Sequence, residues 1–391
     1  MPRMPLLIEQ NMLTLPKLMK SKGYSTGCIG KWHLGWGDHK GASWKTSVTP
    51  GTKSVGFDYF FGVPYSHNCP ADLLFYVEND KIFGRKPKAP FKSYQRNYQE
   101  TAITLSGKAL EFIEKNQKKP FFLYYPMTNV HAPHTPHKQF KGKTNQGNYG
   151  DFVVEFDWAV GEIMKTLDRL QLTDNTLIIV TSDNGAERYW GKNGHKSNGA
   201  LRGTKGTIYE AGHRIPFLAR WPGRIKPQTI CDQTISTTDF MATCAAIIEE
   251  KLPETAAIDS HNILPLLLGD SDKPVRSSTI HHSVSGLFAI RMGDWKYIDG
   301  RGNGMDPVSW GKVEASGKNK PLWNEQTEKF EALTYDWLPA KVKKGEPHAQ
   351  LYNLKNDPLE KNNLYLSKPE LVEKMKQLLE KVRQRKTRLS M

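Results

Sequence analysis

One stretch constrains the fold of this chain more than any other: TLIIVTSDNGAERYWGKNGHKSNGALRGTKGTIYEAGHRIPFLARWPG, from Thr176 to Gly223. Its apolar, β-branched run Leu177, Ile178, Ile179 and Val180 reads as a buried strand. Asp183 and Asn184, two oxygen donors side by side, stand at the end of that run, and Gly185 follows at once. Farther on, Gly203 and Gly206 flank Lys205, which sets a cation on backbone able to approach a ligand closely. A carboxylate beside an amide at a strand end, with a glycine-set lysine downstream, points to a site for a metal and an anion.

Two earlier segments repeat the pattern of a strand followed by chemistry-bearing residues. Thr14 reads as the cap of a short helix with Pro16 in its first turn and Gly23 at its end, and Tyr24 to Gly30 reads as a strand that delivers Lys31 and His33. Apolar positions at Ala102, Leu105, Ala109, Leu110 and Ile113 have helical spacing, and the strand Phe121 to Tyr125 after them leads into a loop with His131, His134 and His137 separated by prolines. Asp151 to Leu172 then reads as a long amphipathic helix leading to the strand at Leu177. Strand, helix, strand in this order predicts a parallel sheet with right-handed crossovers, whose sites form at the carboxyl ends of its strands. Lys31, His33, His131, Asp183, Asn184 and Lys205 are therefore expected to meet in one cleft. GFDYFFG, from Gly56 to Gly62, reads as a turn packed by its own rings.

Beyond Arg220, Thr237 to Ile248 reads as a helix, and HNILPLLLGD closes the first domain. Ser285 to Ile298 reads as a hairpin broken at Met292 to Asp294, Asp299 to Pro347 as long loops, LYNLKNDPLEKNNL as a last strand and turn, and Pro369 to Leu389 as a basic terminal helix. At 391 residues the chain is long enough for a large domain and a smaller one. The division expected is residues 1–275 and 276–391.

Lys and Arg outnumber Asp and Glu by 55 to 40, so the formal charge of +15 favours polyanions, and charge alone leaves nucleic acid, anionic surfaces and sulfated or phosphorylated glycans open. No run is long enough to span a membrane, and MPRMPLLIEQ lacks the pattern of a signal peptide. Four cysteines without CxxC spacing argue against a zinc site and against a disulfide scaffold.

Taken together, GYSTGCIGKWHLG, the HAP of VHAPHTP, TLIIVTSDNG, LRGTKGTIYEAGHRIPFLARWPG, ILPLLLGD, IRMGDWKYI and LYNLKNDPLEKNNL resemble the succession of motifs in the sulfatase family of the alkaline-phosphatase-like superfamily. The resemblance runs from about Thr14 to Leu364. It implies an α/β fold, a mostly parallel sheet sandwiched by helices, with a smaller C-terminal α+β subdomain carrying an antiparallel sheet. Residue by residue, Asp183 and Asn184 resemble two calcium ligands, and Lys31, His131 and Lys205 resemble groups that hold the sulfate oxygens. His131 with Lys205 would protonate or neutralise the departing alcohol, and His33 resembles the base that helps expel sulfate from the covalent intermediate.

The activity implied is sulfuric ester hydrolysis of a sulfated small molecule or glycan, not nucleic acid, in a periplasmic or extracellular setting. The family nucleophile is a formylglycine made from the Cys or Ser of a CxPxR or SxPxR motif, which these residues do not contain. Cys69 precedes Pro70, but Ala71 and Asp72 follow, and Cys28 reads as a core residue. The chain is therefore expected to lack an N-terminal segment bearing that motif and a pair of aspartates, and to show little or no turnover without it. Two other readings stand beside this one: a phosphate or phosphonate ester hydrolase of the same superfamily, and a non-catalytic binder of sulfated glycan.

Overall fold

The computed structural model describes residues 4–39, 41–42, 44, 48–86, 88–187, 195–271, 273–305, 323–324, 329–330 and 345–385. Helix α1 (Leu15–Ser21) begins as its sequence dictates: the Thr14 hydroxyl accepts from the Lys17 amide, and proline occupies the first turn. Strand β1 (Ser25–Lys31) follows, then β2 (Tyr59–Val63), β3 (Val77–Glu78), β4 (Lys81–Ile82), α2 (Thr101–Asn116), β5 (Phe121–Tyr124), α3 (Gly147–Arg169) and β6 (Ile178–Thr181). Next come α4 (Glu210–His213), β7 (Phe217–Arg220), α5 (Phe240–Ile247), α6 (Leu264–Leu268), β8 (Thr279–His282), β9 (Phe288–Met292), β10 (Trp295–Ile298), the short pair β11 (Trp323–Asn324) and β12 (Lys329–Phe330), β13 (Gln350–Asn353) and α7 (Pro369–Arg383).

The first sheet has the order β4-β3-β2-β1-β5, with β1 parallel to both β2 and β5 and the short β3 and β4 antiparallel at the edge. Alternation along its strands fills two cores. Cys28 and Phe60 face one with Trp32, Trp36 and Phe57, whereas Ile29 and Phe61 face the other with Leu105, Ala109 and Phe112 of α2. A sheet covered on both faces needs continuous apolar strands rather than alternating ones. This is why GFDYFFG is not the turn expected of it: Tyr59–Val63 is strand β2, with Phe60 and Phe61 fully buried on opposite faces. The cysteine at position 28 is a core residue, as its place in an apolar strand predicted.

Strand β6 also differs in its pairing. The order strand, helix, strand predicts a parallel neighbour, but β6 pairs antiparallel with β7 in a separate two-stranded sheet, Ile178 opposite Arg220 and Thr181 opposite Phe217. Periodicity identifies a strand without naming its partner, because the partner is chosen by non-local packing.

The second large sheet is antiparallel, in the order β13-β10-β9-β8, and α7 covers it with Val372, Met375 and Leu379 against Ile290, Tyr297 and Leu351. The hairpin of β9 and β10 turns at Gly293 and Asp294, where the sequence places it. The terminal helix expected to run to Leu389 ends at Arg383 with Gln384 as its C-cap, and the stretch expected to form long loops lies mostly outside the described residues. Ile208 and Tyr209 pack against Ala289, Ile298 and Tyr352, joining the sheet to the segment that carries Lys205. A buried ion cluster secures the same junction: Lys296 Nζ, fully buried, lies 3.0 Å from Glu210 Oε1 and 2.9 Å from Glu360 Oε1. No helix among the described residues is long and apolar enough to cross a membrane.

Candidate active site

Lys31 is the last residue of β1, and its amide donates to the Pro126 carbonyl at 2.7 Å, tying the exit of β1 to the exit of β5. Two residues on, His33 sits at φ 60, a left-handed conformation uncommon outside glycine, with its ring edge-on to Tyr65 at 4.3 Å between centroids. Asp183 leaves the end of β6. Although β6 lies in a different sheet, its Oδ2 comes within 3.5 Å of Lys31 Nζ.

Gly185 is required where it stands. A Cβ there would lie 1.7 Å from the Ala211 carbonyl oxygen, and the Gly185 amide donates to Gly212 O at 3.1 Å. That contact seats SDNG against the LRGTKGT segment, and the Lys205 amide closes it by donating to Ala186 O at 2.9 Å. Gly203 and Gly206, at φ 95 and 85, supply the left-handed backbone on either side of Lys205.

The predicted residues converge. His131, on the loop after β5, responds to the charges of Lys205, Lys31 and Glu187, and His33 responds to Lys31, His131 and Lys205. Glu187 is the member that sequence reasoning missed. Its Oε1 accepts from Lys205 Nζ at 2.9 Å and lies 3.9 Å from His131 Nε2, so a carboxylate stands between the two groups expected to hold an anion. Its place just past SDNG was the available signal, but an isolated acidic residue in a polar loop carries none by itself. Asn184 donates from Nδ2 to the Gly185 carbonyl at 3.0 Å, which leaves its Oδ1 as the available donor oxygen.

Electrostatics set the protonation states. Burial, and next the Lys31 charge, lower His33 from 6.5 to about 4, so at pH 7 it is a neutral base. Burial also lowers His131. The Ala132 carbonyl opposes this by accepting from Nδ1 at 2.7 Å, while Lys205 and Lys31 push the same way as burial. A carbonyl accepts only, so the Nδ1 proton is committed and the His131 Nε2 lone pair faces the site. His134 is lowered by burial too, partly offset by Glu187.

The donor chemistry at 183 and 184 suits a hard cation such as calcium, which takes oxygen ligands. One carboxylate and one amide oxygen are nevertheless fewer than the roughly six to eight that calcium requires. Among the described residues no three His, Cys, Asp or Glu side chains are grouped to hold a metal ion.

Comparison with known proteins gives the class to which this fold belongs. The sulfatase family profile matches residues 7–249. The chain is 34% identical to an N-acetylgalactosamine-6-O-sulfatase of Bacteroides thetaiotaomicron, across 97% of this chain and 78% of that protein. It is also 34% identical to human arylsulfatase A and 31% to rat steryl-sulfatase, spanning 57% and 59% of their lengths. Among solved structures, one described under metabolism of multiple glycosaminoglycans by Bacteroides thetaiotaomicron superposes with a TM-score of 0.83 at 32% identity, covering 98% of this chain and 84% of that one. A phosphonate monoester hydrolase from Silicibacter pomeroyi, 12% identical with a TM-score of 0.59 over 97% of this chain and 81% of that one, shares the fold alone. The chain belongs to the sulfatase family.

Proposed function

We propose that this protein acts on a sulfated glycan, with a 6-O-sulfated N-acetylhexosamine as the sulfate-bearing unit. The observation that carries the reading is the meeting of Lys31, His131 and Lys205 at one place, with a carboxylate already drawn between two of them. The Bacteroides relative, matched over nearly the whole chain, supports the choice of sugar.

In this reading Lys31 and Lys205 neutralise the sulfate oxygens, and charge placed beforehand in a partly closed site stabilises the transition state without reorganisation. His131 presents Nε2 to the same oxygens. A bound sulfate would oppose the lysine charges that lower His131, so its arrival raises the fraction of imidazolium able to donate a proton to the leaving alcohol. His33, neutral at pH 7, takes up the proton that must depart when sulfate is released. Calcium held by Asp183 and Asn184 would polarise the ester. The nucleophile of this reading is a formylglycine, which no CxPxR or SxPxR motif in the 391 residues supplies, so these residues are expected to bind without appreciable turnover. An exported setting, periplasmic or extracellular, and a boundary between 275 and 276 complete the proposal.

The test is titration of the chain, with calcium present, with sodium sulfate, with 6-O-sulfated N-acetylgalactosamine and with its 6-phosphate counterpart, followed calorimetrically and repeated on Lys31→Ala. Binding that weakens in the variant is expected. Binding that is absent, or indifferent to Lys31, sinks the reading, and a preference for phosphate over sulfate would transfer it to phosphoester chemistry.

A further inference from the structure

The loop that carries His131 is held from below by an acid that lies outside the site. Glu155 belongs to the buried face of α3, with Asp151, Phe152 and Ala159, and is fully inaccessible to solvent. Both of its oxygens are used. Oε2 accepts from Asn129 Nδ2 at 3.0 Å, and Oε1 accepts from the His137 amide at 3.0 Å. Asn129 precedes His131 by two residues and His137 follows it by six, so one carboxylate grips both flanks of the loop. Asn129 Nδ2 also donates to Phe152 O at 3.2 Å. A third attachment comes from His67, itself fully buried, whose Nε2 lies 2.9 Å from Thr135 Oγ1 and whose carbonyl accepts from Arg96 Nη2 at 2.6 Å.

Burying a carboxylate against neutral donors is unfavourable in the absence of a cation, and among the described residues the partners of Glu155 are the Asn129 amide and the His137 backbone N–H, with no ion pair. A core position that needed only volume would be better served by an apolar side chain. We propose that Glu155 is a positioning residue of the active site: by clasping Asn129 and the His137 amide, it sets the loop so that the His131 Nε2 faces Lys205 and Glu187. The inference rests on the reading that His131 meets the substrate's sulfate. The largest influences on the His131 imidazole are burial, the Ala132 carbonyl, Lys205, Lys31 and Glu187. Loss of a nearby negative charge alone would lower the His131 pKa, so a rise after substitution of Glu155 reports position.

The experiment uses the 391-residue chain and follows the His131 ring nitrogens by long-range ¹H–¹⁵N NMR, assigned with His131→Gln, together with the Kd for inorganic sulfate. In Glu155→Ala, folded by circular dichroism, the His131 pKa is expected to rise toward its ordinary value as burial relaxes, and sulfate affinity to fall five- to tenfold. Glu155→Gln, which keeps one acceptor for the His137 amide, is expected to fall between. If Glu155→Ala does not fold, Glu155→Gln and Asn129→Ala are judged by the same two readouts. A folded variant whose His131 titration and sulfate affinity match the parent overturns the proposal. Should sulfate leave His131 unperturbed in the parent, the functional reading fails, while the ligand-free titration still decides whether Glu155 positions the loop.

Discussion

Replacing Glu187 by Gln is expected to tighten sulfate binding about tenfold. The carboxylate stands 2.9 Å from Lys205 Nζ, and each side chain is 30% exposed. At that distance the attraction between unit charges is about 6 kcal/mol at an effective dielectric of about 20 and about 1.4 kcal/mol in bulk water. Half-exposed pairs in cycles of double substitutions keep only about 1 kcal/mol after desolvation and side-chain ordering. A sulfate entering between Lys205 and His131 must displace this pair and then sit near the displaced carboxylate. Gln removes both penalties while keeping the shape, a gain near 1.4 kcal/mol, which is about tenfold in Kd. Lys205→Met acts in the opposite sense, because sulfate loses a charge-assisted partner worth about 1.5 to 3 kcal/mol. In the Lys205→Met background Glu187→Gln should lose most of its benefit. Calorimetric titration with sodium sulfate at constant ionic strength reads all four proteins, since screening would otherwise mask differences of this size. If folded Glu187→Gln binds sulfate no better than the parent, the carboxylate does not compete for the anion position and Lys205 is an ordinary surface lysine.

Acid should destabilise the protein before its carboxylates titrate: burial lowers His33 to about 4, His67 to about 3 and His213 to about 4, so between the ordinary 6.5 and these values the unfolded chain binds more protons than the native one. Stability is then full above pH 6.5 and declines as pH falls, and a Tm that is level between pH 7.5 and 5 would contradict these directions. Lys296→Met should cost about 3 to 5 kcal/mol in urea unfolding by leaving Glu360 buried without its cation and Glu210 with Arg291 at 3.5 Å, and a loss below about 1 kcal/mol would show the cluster to be dispensable. Gly185→Ala should abolish sulfate binding or folding, because its Cβ would meet the Ala211 carbonyl at 1.7 Å; a crystal structure of a sulfate-binding variant with unmoved backbone would refute that argument.

Much of the molecule is written locally. Thr14 and Pro16 determine where α1 starts, and glycines at 203 and 206 supply the positive φ on either side of Lys205. Each of these is set by sterics and hydrogen bonds within a few residues, so the sequence alone determines it. The six positions proposed for the site could be singled out in sequence because each follows a strand, or a glycine turn, that its own neighbours encode. Other features depend on contacts between segments far apart in the chain. The aromatic run at Tyr59–Val63 becomes a strand because two cores cover it, and β6 takes β7 rather than a parallel neighbour. Glu187 reaches Lys205 across 18 residues, and Glu155 reaches Asn129 across 26. An acid in a loop and an acid on a helix look alike in sequence. Only the tertiary structure decides that one lies among the cations of the site and the other underneath its histidine loop, because burial and the geometry of hydrogen bonds exist only once those segments have packed.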